Sequence, residues 1–426
     1  MNAVADTAHT AAPADSTAAD TAAAPVTTAV FTGIGVAAPG GLGTETWWAA
    51  VLRGESGIGP VTRFDASPYP ARLAGEVPGF VDEDHVSSRL LPQTDRVTRL
   101  SLAAAQEALD DAGADVAELP SYGAGVVTAN SSGGFEFGHR ELQALWSQGP
   151  QHVSAYQSFA WFYAVNSGQI SIKHGLRGAS GVVVSEQAGG LDAVAHARRQ
   201  LRKGARLVVT GGLDSALCPW GWAAHLAGGS MSTVDDPARA YLPFAEDASG
   251  HVVGEGGALL VLEDARSAEL RGARVYGSLA GHAATFDASP ERPRLADAAR
   301  LALADAGLEP ADVDLVFADA AGERAADRAE AEAIAAVFGP YGVPVTAPKS
   351  MAGRLSAGGA ALDLAAALLA LRDQVIPPTT GTVRPAADCP LDLVTGIPRR
   401  GVALRTVLVL ARGRGGFNAA AVVRAA

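Results

Sequence analysis

The segment with the clearest chemical purpose reads Val182-Val183-Val184-Ser185-Glu186-Gln187-Ala188-Gly189-Gly190-Leu191-Asp192-Ala193. Its β-branched run predicts a buried strand, its polar residues a turn, and the small residues after them a helix. Strand–turn–helix is how a chain holds a nucleophile at a helix N-terminus, where the dipole stabilises its anion. A Cys or Ser is expected at the turn, but Gln187 stands there. A carboxamide has no ionisable proton and cannot attack a carbonyl. The chain therefore carries a nucleophile's setting without the nucleophile.

Other motifs are weaker. Val30-Phe31-Thr32-Gly33-Ile34-Gly35 predicts a strand running into a glycine turn. Gly33, Gly35 and Ala38 fit a dinucleotide fingerprint only loosely, and no acidic residue follows a second strand at the required distance. Gly250-His251-Val252-Val253-Gly254-Glu255-Gly256-Gly257 lacks the Lys-Ser/Thr of a phosphate loop and reads as tight turns packed on neighbouring backbone.

Composition narrows the function classes. The chain has 426 residues, 48% hydrophobic and 18% charged, which is enough for two core-bearing units. A net charge of −12 argues against a broad nucleic-acid or anionic-membrane footprint. Arg198-Arg199 with Arg202-Lys203, and Arg399-Arg400, are local basic patches that read as solvated charge. Two distant cysteines, Cys218 and Cys389, make no disulfide framework. No apolar run is long enough to span a bilayer. Residues 1–26, rich in Ala, Thr, Asp and Pro without Lys or Arg, read as a disordered tail rather than a secretion signal. The expected location is the cytoplasm.

The elements that must position Gln187 repeat along the chain. A helix starting near Thr94-Asp95-Arg96 ends at Ala108-Leu109-Asp110-Asp111-Ala112-Gly113, and the strand Gly125-Val126-Val127-Thr128 follows. At a spacing of 194 residues (302 − 108), Ala302-Leu303-Ala304-Asp305-Ala306-Gly307 ends another helix before the strand Val313–Phe317. Each glycine serves as a C-terminal cap. The pattern predicts a pseudo-duplicated α/β protein with halves at 27–273 and 274–426, divided after the strand Ala258–Leu262.

These residues resemble the β-ketoacyl synthases of the thiolase fold. The resemblance runs from about Ala29 to the C-terminus. It is carried by Val183–Ala193, Pro243-Phe244 leading into Gly254-Glu255-Gly256, Lys349-Ser350-Met351-Ala352-Gly353, Pro377-Pro378-Thr379 and Gly415-Gly416-Phe417-Asn418. It implies a thiolase-like α/β fold whose two halves form a layered α-β-α-β-α architecture. Active members of the family acylate a Cys at the turn and use two His in the second half for decarboxylation and enolate stabilisation. The matching positions here hold Gln187, Asp319 and Arg354, with Lys349 retained. No realignment rescues a His pair, because the 144 residues after His282 (426 − 282) contain none. The family's Gly-Phe-Gly-Gly loop reads Gly413-Arg414-Gly415-Gly416.

Loss of chemistry with fold signals intact resembles the chain-length factor, the ketosynthase beta subunit of type II aromatic polyketide synthases. Gly133-Gly134-Phe135-Glu136-Phe137 and Phe159-Ala160-Trp161-Phe162-Tyr163-Ala164-Val165-Asn166 match that subfamily, as does the Gln itself. The resemblance implies an obligate heterodimer with a catalytic ketosynthase alpha subunit. It also implies phosphopantetheine-linked substrates delivered by an acyl carrier protein, with no directly bound cofactor and no metal. An element mapped to Phe135 through Leu142 would shape the tunnel for the growing poly-β-ketone. On a helix, Phe135, Gly138 and Leu142 share one face. The small Gly138 and ringless Leu142 predict a tunnel longer than an octaketide needs, while ordinary interface packing is the plainer reading. Trp146, Phe159, Trp161, Phe162 and Tyr163 belong either at the heterodimer interface or in the chain's own core.

Gln187 has three open readings: a hydrogen-bonding filler of the vacated site, a donor that assists malonyl decarboxylation, or a bystander to a relocated nucleophile. Cys218 is the nearest thiol in sequence, but its Pro-flanked apolar setting suggests an inert one. Lys349 reads as an ion-pair partner, and Glu186 as either an acid or base or, more plainly, a residue that salt-bridges to the partner subunit. The alternative to a non-catalytic chain-length subunit is accordingly a malonyl-acyl-carrier-protein decarboxylase acting through Gln187.

Overall fold

A computed structural model describes residues 28–289 and 291–426. The tail expected at 1–26 lies outside the described residues.

The first half supplies strands β1 (Ala29–Ala38), β2 (Ala124–Ala129), β3 (Ser180–Val183), β4 (Leu207–Asp214) and β5 (Gly256–Asp264). Between them lie helices α1 (Arg96–Ala112), α2 (Phe135–Gln148), α3 (Gly189–Arg202) and α4 (Pro219–Ala227). The second half supplies β6 (Gly277–Phe286), β7 (Leu315–Phe317), β8 (Pro344–Thr346), β9 (Asp392–Leu393), β10 (Thr406–Gly413) and β11 (Phe417–Arg424). Its main helices are α5 (Leu295–Ala306), α6 (Arg324–Phe338) and α7 (Ala357–Asp373).

The strand order is β9-β8-β7-β10-β11-β6-β1-β5-β4-β2-β3. The duplication is visible in it. In the first half β3 and β4 both lie parallel to β2, then β5 and β1 alternate antiparallel. In the second half β8 and β10 both lie parallel to β7, then β11 and β6 alternate antiparallel. The halves join through a short antiparallel pairing of β1 with β6 at Val30 and Phe31. Helix α1 packs on β1, β5 and β4, and α5 packs on β6, β11 and β10. Between the two sheet halves lie α3 and α7, the latter packing on β5, β4 and β10 and on α3. The result is the expected layered α-β-α-β-α thiolase-like fold. Helices α1 and α5 both end in left-handed glycines, Gly113 and Gly307.

Two local expectations need correcting. The strand through Gly33 and Gly35 does not turn there but continues to Ala38. Both glycines are set by packing: a Cβ at Gly33 would fall 2.0 Å from the Ala108 carbonyl oxygen, and one at Gly35 would fall 1.9 Å from that of Ala104. The Val182–Val184 run is not fully buried either. It ends the edge strand β3, and Val184 is 52% exposed, because among the described residues no further strand covers that edge.

Gly33→Ala should therefore destabilise the chain by about 1–3 kcal/mol, the range for overpacking a dense interior. Chemical denaturation should show the midpoint fall, and an unchanged midpoint would mean that α1 is free to move away from β1.

Candidate functional site

The elbow forms as the sequence pattern requires. Strand β3 ends at Val183, and α3 starts at Gly189. Gln187 between them is completely buried. Its side chain lies against α7, where a Cβ at Gly359 would sit 2.3 Å from the Gln187 Nε2. Neither amide atom has a hydrogen-bond partner. Among the described residues the amide fills the space without a hydrogen bond, because α7 presents a bare Gly359 to it rather than a polar side chain. Leaving a buried amide unsatisfied costs roughly 1–3 kcal/mol.

The two positions matched to catalytic histidines meet each other. Arg354 Nη1 lies 3.0 Å from Asp319 Oδ2, with both side chains buried. Arg354 also donates to the Asp319 and Arg412 carbonyls, at 3.1 and 3.2 Å. Asp319 Oδ1 accepts the Arg412 backbone N–H at 3.0 Å. Burial alone would raise the Asp319 pKa, but Arg354 and Lys349 outweigh it and hold the carboxyl below its ordinary value. Lys349 itself pairs with Asp363 of α7 at 2.6 Å, both side chains buried. That contact lacks hydrogen-bond alignment, so charge holds it. Burial keeps Asp363 at about 6 despite the ammonium.

A cavity of about 590 Å³ opens at this end, lined among others by Glu186, Asp319, Arg354 and the 412–418 segment. A smaller one of about 190 Å³ shares Glu186, His251, Arg354 and Arg414 with it and reaches Phe135. Gln187 lines neither. Glu186 Oε2 accepts the Arg414 backbone N–H at 3.1 Å, so Glu186 ties the elbow to the 413–416 loop.

Phe135, Gly138 and Leu142 do share one side of α2. That helix is fixed by Asp95, whose Oδ1 caps α1 through the Val97 N–H at 3.0 Å while its Oδ2 accepts the Phe137 N–H at 2.7 Å. Phe135 stacks on Trp220 with ring centroids 4.3 Å apart. A Cβ at Gly138 would lie 3.3 Å from the Trp220 Cζ3, and Leu142 lines an open groove with Trp220 and Trp146.

Similarity to known proteins follows this geometry. The family model for the β-ketoacyl synthase N-terminal domain matches residues 28–268, and that for the C-terminal domain matches residues 268–382. This chain belongs to the β-ketoacyl synthase family. It is 59% identical, over 93% of its length and 98% of theirs, to two polyketide proteins. One is the actinorhodin polyketide putative beta-ketoacyl synthase 2 of Streptomyces coelicolor, the other the tetracenomycin polyketide synthase ketoacyl synthase beta subunit of Streptomyces glaucescens. The solved ishigamide ketosynthase/chain length factor superposes with a TM-score of 0.86 at 30% identity, covering 94% of this chain and 99% of that one. A type II acyl carrier protein–ketosynthase complex, AntDE:AntF, contains a chain that superposes at 0.85 and 26%, with the same coverage.

Within this ketosynthase family the chain is a beta subunit by its relatives, and its site differs from the active pattern in a coherent way. Gln187 is shut away, while Asp319 and Arg354 neutralise each other. Cys218 does not replace the lost nucleophile. It caps α4, accepting from the Gly221 N–H at 3.5 Å, and burial pushes its thiol up to about 11. The exposed aromatics settle one alternative: Trp146 is 84% exposed and Phe162 51%, with Phe159 and Trp161 also exposed, so these four are not core residues. Half-buried Tyr163 lies beside Trp161 and Phe162. Among the described residues no helix is long and apolar enough to cross a membrane. Sequence reasoning missed Trp220 against this face of α2, because 85 residues (220 − 135) separate it from Phe135 and only the packing of α4 on α2 brings them together.

Arg354→Ala would leave Asp319 charged, buried and unpaired, so it should cost about 3–5 kcal/mol. Replacing the pair together, as Asp319→Leu with Arg354→Met, should recover most of that loss. A double-mutant cycle by chemical denaturation reads both; additive losses would mean that the pair is not coupled.

Proposed function

We propose that this chain is the non-catalytic, chain-length-determining subunit of a type II polyketide ketosynthase. It pairs with a catalytic ketosynthase alpha subunit as an obligate heterodimer in aromatic, antibiotic-type polyketide biosynthesis. The observation that carries this reading is the state of the three former catalytic positions: a buried amide and a self-neutralised ion pair in place of a thiol and two imidazoles. Such a set can neither be acylated nor take and return protons.

The pairing draws support from the surface. Edge strand β3 is uncovered, and Trp146, Phe159, Trp161 and Phe162 are exposed. Aromatic enrichment and an open strand edge are what a second subunit would cover. The α2 face of Phe135, Gly138 and Leu142 is the gate. Its substrates are phosphopantetheine-linked chains brought by an acyl carrier protein, and a dry channel keeps the reactive polyketone from closing early. Two free buried thiols suit a reducing cytoplasm.

A second reading rests on the unspent donors and acceptor of the Gln187 amide, which could polarise a malonyl thioester carbonyl and promote decarboxylation. The enclosure of Gln187 favours the first. With malonylated carrier protein and the intact complex, Gln187→Ala should leave acetyl formation unchanged by intact-mass analysis. A loss of roughly 10²–10³ in rate, the worth of one oxyanion-type donor, would establish the second reading instead.

The gate is tested by bulk. Gly138→Thr must displace Trp220, and Leu142→Phe fills the neighbouring groove. Together they should shorten the polyketide, read as a lower product mass; a product of unchanged length would remove α2 from chain-length control.

A further inference from the structure

The loop between β2 and α2 carries the start of the gate helix, and one buried carboxylate holds it. Asp214, the last residue of β4, is 3% exposed. Its Oδ1 accepts the Ser132 backbone N–H at 3.3 Å and the Ser132 hydroxyl at 3.0 Å. Its Oδ2 accepts the Ser131 hydroxyl at 2.8 Å and the Ala357 N–H at 2.8 Å. The Ser131 N–H reaches both oxygens, at 3.1 and 3.0 Å. Ala357 opens α7, so the carboxylate lies at the positive end of a buried 17-residue helix.

Dipoles alone answer this charge. Among the described residues no Lys, Arg or His nitrogen lies within 4.0 Å of Asp214. Burial pushes the carboxyl up to about 6, although hydrogen bonds from Ser131, Ala357 and Ser132 pull it down. A buried charge without a counter-ion is a costly tie between two segments, and what it can supply in return is a fixed register. The backbone at the junction is constrained as well. Ser356, one residue before Ala357, holds φ at 49°, in the left-handed region that a non-glycine residue rarely adopts. Ser131, Ser132, Phe135 and Ser356 line one cavity of about 190 Å³, so the loop, the first gate residue and the start of α7 face one another. Asp214 lines neither that cavity nor its neighbours. It acts only through the residues it holds. On the other side Asp95 ties the Phe137 N–H to α1, which leaves the first turn of α2 suspended between α1 and α7.

We infer that Asp214 is a positioning residue for product length: by clamping Ser131 and Ser132 to the N-terminus of α7, it sets where α2 begins and so where Phe135, Gly138 and Leu142 stand. The inference rests on the reading of α2 as the gate. The clamp needs both carboxylate oxygens, since the Ser132 N–H is held by Oδ1 alone and the Ala357 N–H by Oδ2 alone. In Asp214→Asn an NH₂ group replaces one oxygen and meets an N–H that it cannot accept. Either the loop or α7 is then released, with side-chain size unchanged.

The test reconstitutes the heterodimer with its ketosynthase partner and carrier protein and reads the share of each polyketide length by mass spectrometry. A share is a ratio, so it does not move with the amount of folded complex. In Asp214→Asn the ratio of parent-length to other products should fall about tenfold or more, the equilibrium worth of a hydrogen bond to a charged group, with both shorter and longer chains appearing. Ser131→Ala with Ser132→Ala keeps the carboxylate and removes two of its donors, and should shift the ratio the same way. Ser131→Thr with Ser132→Thr keeps both hydroxyls and should bring the ratio back towards the parent. Gly281→Ala is the stability control: in the second half, away from α2, its Cβ would fall 2.1 Å from the Ala302 carbonyl oxygen. It should lower the melting temperature and leave the ratio unchanged. An unchanged ratio in Asp214→Asn, a threonine pair as perturbed as the alanine pair, or an equal shift in Gly281→Ala overturns the inference. If Asp214→Asn forms no heterodimer, the serine variants decide it, and an unchanged ratio in the alanine pair overturns it. If Gly138→Thr with Leu142→Phe shortens the product while the Asp214 and serine variants do not alter it, the gate stands and only the clamp fails. If neither set acts, the gate reading itself fails.

Discussion

The structure depends on how closely two helices and two sheet halves approach one another. Helix α7 is buried from Ala357 to Leu371, and it is built of Ala, Gly and Leu with a lone Asp363. Its backbone lies against its neighbours with no room for side chains: a Cβ at Gly358 would fall 2.0 Å from the Gly256 carbonyl oxygen, and one at Gly190 of α3 would fall 2.7 Å from the Ala361 nitrogen. Packing at that density excludes water and fixes every group at its edge. Gln187 sits at that edge, where its buried amide finds no partner among the described residues. A catalytic thiol at the same place would need an open approach, and here Gly359 and the amide fill the space together.

The loss of chemistry is therefore more than a lost cysteine. Two imidazoles placed where Asp319 and Arg354 stand would face the 590 Å³ cavity as neutral or singly charged groups. A carboxylate and a guanidinium satisfy each other instead, and the backbone around Arg412 takes up their remaining hydrogen bonds. Neither charge is free to act on a ligand without breaking the pair. Removing one partner alone is costly, because it leaves the other charge buried and unanswered.

Much of this was legible in the sequence. The elbow, the paired helix caps at Gly113 and Gly307, the common face of Phe135, Gly138 and Leu142, and the missing histidines all follow from local pattern and counting. What was not legible depended on long-range packing. Gly33 and Gly35 look like turn residues until α1 is laid across β1. Val182–Val184 reads as a core strand until the sheet order makes β3 an edge. Asp319 and Arg354 were each visible as departures, but nothing local indicates that residues 35 positions apart (354 − 319) neutralise each other. The Gln187 amide was expected to find a partner, because sequence does not show which side of a helix is bare.

The central claim is that this chain measures product length and does not make bonds. The direct test holds the catalytic ketosynthase and carrier protein constant. It exchanges this subunit for the beta subunit of a relative that makes a product of different length, and reads the polyketide mass. The account predicts that length follows the beta subunit, with no product at all when it is omitted. Length that stays with the catalytic partner regardless of which beta subunit is present would contradict it.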